Sequence, residues 1–134
     1  MKKEYPSVSV VCVFNLEGIV LVKNNKKQDP VWKIPGGKGK NGEFKEQTAS
    51  RELWKETGLV VDGADLNQCY SEDRRTHDFL GWYANCPKLR VQDLNSCLAR
   101  EVKIFTIDEV KKLIKNRQFL QSHIKCLGAA IKAR

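Results

Sequence analysis

No apolar run in this sequence approaches the roughly 20 residues needed to cross a bilayer, so no helical membrane span is expected and no membrane partner is implied. The stretch 8–14 follows Met1-Lys2-Lys3, as the apolar core of a signal peptide would. It is short, however, begins after Tyr5-Pro6, and opens on an alternating Ser-Val-Ser-Val, which reads as a strand. Cysteine pairs are missing too. The five cysteines (Cys12, Cys69, Cys86, Cys97, Cys126) are odd in number, scattered, and without a C-x-x-C. That excludes a zinc ribbon or a disulfide framework and points to a reducing, cytoplasmic location, with most of the thiols serving as small core hydrophobes. Low-complexity tracts, internal repeats and linkers are absent, so residues 1–134 are expected to form a single domain. Two catalytic motifs are missing as well. Gly36-Gly37-Lys38-Gly39-Lys40 is followed by Asn41 rather than by the Ser or Thr of a P-loop, and no nucleophile elbow is present.

What is present is charge and a core. A chain of 134 residues, 41% of them hydrophobic, is long enough to bury a substantial interior. The net charge of +8 fits either a solvated lysine surface or attraction to a polyanion such as a nucleotide or RNA. No basic stripe interleaved with aromatics is there to track a nucleic-acid strand, so RNA is the less favoured partner. The acidic residues Glu43, Glu46, Glu52 and Glu56 form an island in sequence, with Lys33, Lys38, Lys40 and Lys45 around them. A metal bridged to phosphates would suit such an arrangement.

Along the chain, residues 7–15 and 19–23 read as a hairpin across the turn Asn15-Leu16-Glu17-Gly18. Residues 31–34 form a short strand ended by Pro35-Gly36-Gly37. Residues 44–57 form a helix with Ala49 and Leu53 facing the core and Gly58 at its end, although Phe44 cannot cap its first turn. Residues 59–61, 66–70, 77–84 and 101–105 read as further strands. A helix capped by Thr106 or Asp108 runs to about Asn116, and residues 118–133 form a last helix with Leu120, Ile124, Leu127 and Ile131 at helical spacing. Strands and helices mixed without strict alternation predict an α/β class with a mixed sheet. His77 and His123 stand alone and read as structural or solvated. Trp32, Trp82 and Tyr83 read mainly as core, with base stacking as the alternative.

The most specific pattern spans residues 37–59: Gly37-x5-Glu43-x7-Arg51-Glu52-Leu53-x-Lys55-Glu56-x-Gly58-Leu59. Glu52 and Glu56 lie four apart on one helical face, so both carboxylates can grip one hard cation. Oxygen donors with positions left for water suit Mg²⁺, the usual partner of substrate phosphates. This segment resembles the Nudix box of the Nudix hydrolases, G-x5-E-x7-R-E-U-x-E-E-x-G-U with U aliphatic, at every fixed position except one. There Lys55 replaces the first Glu of the Glu-Glu pair.

The resemblance implies a Nudix-type α/β/α sandwich and a Mg²⁺ cofactor, with Mn²⁺ as substitute. It implies metal ligation by a carbonyl of Gly36 or Gly37 together with Glu52 and Glu56, and an Arg51–Glu43 pair that supports them. The reaction implied is attack of metal-activated water on a phosphorus of a diphosphate. Glu101 stands where such sequences often carry a further acidic residue, either as a ligand or base or as a solvated strand-start residue. Lys38 and Lys55 are candidate contacts for substrate phosphate. Exchanging Glu for Lys at position 55 changes the local charge by two units, which at roughly 8 Å from a divalent cation in water costs about 2 kcal/mol, on the order of thirtyfold in affinity. The expected function is cleavage of a nucleoside triphosphate or related nucleoside diphosphate derivative. A 5′-end RNA pyrophosphohydrolase and a non-catalytic nucleotide- or RNA-binding module are the alternatives.

Overall fold

The computed structural model describes residues 6–95 and 100–134; Cys97 lies outside them. Strand β1 (Ser7–Phe14) organises the molecule. It pairs antiparallel with β2 (Ile19–Asn24) at Phe14↔Ile19 and with β4 (Gly36–Lys38), and parallel with β6 (Asp78–Asn85) along its whole length. β5 (Asn67–Asp73) pairs antiparallel with β6, while β3 (Trp32–Lys33) and β7 (Arg100–Phe105) both flank β2 antiparallel. The result is a seven-stranded mixed sheet.

Both faces of β1 are covered, which explains why it is an almost unbroken apolar run. Val11 and Val13 pack with Ala49 and Leu53 of helix α1 (Lys45–Thr57). The alternate residues Val10, Cys12 and Phe14 pack with Val110 of α2 (Ile107–Lys115) and with Cys126, Leu127 and Ala130 of α3 (Ile124–Ala133). Period-two alternation in one strand thus feeds two cores, giving the α/β/α sandwich that the resemblance implied. No helix among the described residues is long and apolar enough to cross a membrane.

Local chemistry sets the boundaries. Asn15 Oδ1 accepts from the amides of Glu17 and Gly18 and closes the β1–β2 turn. Thr106 caps α2 by accepting from Glu109 N–H, and Glu109 returns the bond to Thr106 N–H. Gly58 ends α1 at φ 77, donating to Trp54 O, a conformation that favours glycine.

Three expectations are corrected. Residues 59–61 form no strand, because their backbone bonds to α1 side chains: Leu59 N–H donates to Thr57 Oγ1, and Val61 O accepts from Ser50 Oγ–H. The last helix begins at Ile124, not at residue 118. Residues 118–120 are drawn out against β3 instead, with Trp32 N–H donating to Gln118 O and Leu120 N–H donating to Trp32 O. Gly36 and Gly37, expected to lie in the turn that ends β3, belong to strand β4.

Candidate metal and diphosphate site

The site forms where β4 passes under α1. Helical spacing puts Glu52 and Glu56 on the face of α1 turned toward the sheet, where they are 8% and 3% exposed. Charged side chains are rarely this buried without partners. Glu56 Oε1 accepts from Gly36 N–H at 2.8 Å. The Glu52 carboxylate lies so close over Gly37 that a Cβ there would collide with Oε1, and a Cβ on Gly36 would collide with β1 backbone at Ser9 and Val10. Two consecutive glycines are therefore a steric requirement of this arrangement.

A second layer holds these groups. Arg51 Nε and Nη2 donate to the two oxygens of Glu43 at 2.8 and 3.0 Å, a bidentate pair, and Nη2 also donates to Lys38 O at 3.0 Å. Thr48 Oγ1 and Lys40 N–H donate to Glu43 as well, at 2.6 and 3.1 Å. With the Arg51 guanidinium as the main cause, the Glu43 carboxyl is held down to about 2 from the ordinary 4.5. Arg51 Nη1 also stands 3.6 Å from Glu52 Oε1, so one guanidinium touches both carboxylates. Lys55, half-exposed on the outer side of α1, places Nζ 3.9 Å from Glu52 Oε2.

α1 starts without a side-chain cap. Phe44 is exposed at the N-cap position, and the only reciprocal bond is from Phe44 N–H to Gln47 Oε1 at 2.9 Å. Lys38 is exposed at the end of β4. Glu101 is not brought into the group. It lies opposite Lys23 in the β2–β7 ladder and is engaged by Lys23 Nζ at 3.9 Å, Lys103 Nζ at 3.7 Å and Asn25 Nδ2 at 3.1 Å. Among the described residues no group of three or more His, Cys, Asp or Glu could hold a metal. The chain's side-chain donors here are therefore two carboxylates, which suits a hard cation whose remaining positions go to water and phosphate oxygen.

Sequence reading missed two contacts, one within this site and one at the residue two positions before Gly36. Thr48 is an unremarkable helical threonine until the fold brings its hydroxyl to Glu43. His123 accepts at Nδ1 from Ile34 N–H at 3.2 Å across 89 positions of sequence, a contact without any local signal.

A profile of the NUDIX domain matches residues 3–125. No curated protein matches the sequence. Among solved structures, a MutT from work on Aliivibrio salmonicida and Vibrio cholerae superposes with TM-score 0.76 at 19% identity, covering 96% of this chain and 98% of its own. The E. coli ORF135 protein does so at 0.72 and 16%, covering 97% and 91%. A bifunctional NMN adenylyltransferase/ADP ribose pyrophosphatase from Francisella tularensis, complexed with AMP and a Mn ion, gives 0.76 and 18%, covering 98% of this chain and 42% of its own. These structures share the fold, and the domain match spans nearly the whole sequence. The chain belongs to the Nudix family of pyrophosphate-bond hydrolases.

Proposed function

We propose that the protein is a Mg²⁺-dependent pyrophosphohydrolase, with Mn²⁺ able to substitute, that cleaves a diphosphate linkage in a nucleoside triphosphate or a related nucleoside diphosphate derivative. The observation that carries this reading is the convergence of the buried Glu52 and Glu56 carboxylates on the Gly36–Gly37 backbone. Two buried carboxylates brought together at one stretch of backbone offer the hard oxygen donors that suit a divalent cation shared with substrate phosphates. A cation bound there supplies charge neutralisation on the diphosphate oxygens and lowers the pKa of a water.

The protein's own groups hold and orient. Glu52 and Glu56 bind the cation, and the glycines let β4 pass close enough to α1 and β1 for both carboxylates to meet its backbone. Arg51, anchored on Glu43, fixes the Glu52 carboxylate, while Lys38 and Lys55 stand at the exposed edge where phosphate oxygens enter. Glu101, paired with two lysines, has no part in this assignment. The solved relative complexed with AMP and a Mn ion supports a nucleotide substrate and a divalent cation. The four described cysteines are free, and burial raises Cys69 to about 11, which keeps its thiol protonated and suits a cytoplasmic setting.

The test is steady-state release of phosphate or pyrophosphate from a nucleotide panel with Mg²⁺ and with Mn²⁺. Turnover of at least one nucleoside di- or triphosphate compound, abolished by chelation, is expected. Binding without turnover would assign the chain to the non-catalytic alternative, for which the pairing of Lys55 with Glu52 is the specific observation. A 5′-triphosphate RNA at two salt concentrations completes the panel. Preference for it, falling with a log-log salt slope of roughly −0.7 per neutralised phosphate, would make RNA ends the substrate.

A further inference from the structure

Three elements hold the turn that precedes the two glycines. From α1, Glu56 takes the Gly36 amide. From β1, Val11 N–H donates to Pro35 O at 2.9 Å. The third hold comes from the segment between α2 and α3. Trp32 exchanges two backbone bonds with Gln118 and Leu120, each at 2.9 Å. The chain then coils into the 3-10 turn Gln121–His123, where Leu120 O accepts from His123 N–H. At that point the His123 ring takes over, its Nδ1 accepting from Ile34 N–H.

We infer that His123 is a positioning residue for the diphosphate site: by accepting the Ile34 amide it fixes where Gly36 and Gly37 meet Glu56 and Glu52. This rests on the function proposed above. An amide can only donate, so Nδ1 must be the unprotonated nitrogen. Burial, with the nearby charges of Lys33 and Arg74, holds the imidazole down to about 3, so the acceptor persists at neutral pH. Ile34 is fully buried and has no water to substitute for the ring. The link from Ile34 to Gly36 is stiff, because Pro35 fixes its own φ and restricts the residue before it to extended backbone. Loss of the Ile34 anchor therefore moves Gly36 rather than being absorbed in between. The His123 ring also packs against Phe79, with centroids 5.4 Å apart, so its orientation is set by the core.

The experiment measures Mn²⁺ binding from the spin-resonance signal of free ion, together with amide exchange at Ile34 and Gly36. His123→Phe keeps a ring against Phe79 but deletes the acceptor; His123→Leu deletes it at smaller volume; His123→Asn restores an acceptor oxygen near the Nδ1 position. Val110→Ala weakens the same core from α2 while leaving the His123–Ile34 bond in place. The Phe and Leu variants should bind Mn²⁺ about tenfold more weakly, the scale typical for residues that orient metal ligands, and should exchange the Gly36 amide faster. Asn should recover most of the affinity, and Val110→Ala should lower Tm with wild-type Mn²⁺ affinity. Wild-type affinity in both deletions would overturn the inference, as would an equal loss in Val110→Ala or no rescue by Asn. Glu56→Gln separates the two levels. If it loses Mn²⁺ while the His123 deletions keep it, only the positioning role falls. If it binds Mn²⁺ as the wild type does, the site itself is wrong and both readings fall.

Discussion

Glu52 and Glu101 each sit 3.9 Å from a lysine nitrogen, yet they are different objects. The Glu101 side chain is 38% exposed and is engaged by the side chains of Lys23, Lys103 and Asn25. Glu52 is 8% exposed and Glu56 3%, both pressed against a glycine backbone that leaves no room for a Cβ. A surface ion pair contributes about 0–1 kcal/mol and can be formed almost anywhere. A pair of carboxylates removed from water costs stability, which is what makes such a pair a candidate functional site. Burial and backbone support, rather than distance to a cation, separate the site from ordinary surface chemistry.

That contrast can be broken in graded steps. The largest effect is expected from Glu56→Gln, which keeps shape and removes charge: turnover should fall by about two orders of magnitude or more with the melting temperature preserved. Wild-type turnover in this variant would place the chemistry elsewhere. Next comes Lys55→Glu, which removes the cation beside Glu52. The half-saturating Mg²⁺ concentration should drop by roughly ten- to thirtyfold. A raised Michaelis constant instead would show that Lys55 grips substrate phosphate.

A smaller effect concerns stability. Glu43 is held at about 2 against an ordinary 4.5, so its stabilisation is complete above about 4.5 and disappears as pH falls through about 2. The urea-unfolding free energy of the wild type should exceed that of Glu43→Gln by about 1–2 kcal/mol at pH 7, with the gap closing in acid. A gap independent of pH would mean the Arg51 pair does not act through charge. Glu101→Gln, finally, should change turnover by less than about twofold and stability by under about 1 kcal/mol. A hundredfold loss there would bring Glu101 back to the chemistry.

The box was legible because its parts are local: Glu43, Arg51, Glu52 and Glu56 are fixed by helical spacing and one turn, and the Arg51–Glu43 pair implied by the resemblance is present in the structure. β1 was legible as a Val-rich strand, but the burial of both its faces was not, because it depends on helices far along the chain. What could not be read depends on distant partners. Gly36-Gly37-Lys38 looks like a turn until β1 pairs with it. Residues 118–120 carry helical spacing, yet their backbone is claimed by Trp32. Residues 59–61 have strand composition, but α1 side chains take their backbone bonds before a neighbouring strand can.

The parallel register of β1 with β6, Ser7 opposite Asp78 through Phe14 opposite Asn85, also dictates when the protein can fold. β1 is an apolar strand whose full-length partner is synthesised only after β4, α1 and β5. Until then β1 has the single register pair with β2, the short β4 ladder and the Val11–Pro35 bond to occupy its hydrogen bonds. Closing so long a loop is slow, and a bare Val-rich strand is prone to associate with its own copies meanwhile. Yield on expression should therefore respond to temperature and chaperone supply more than the stability of the finished sandwich would suggest.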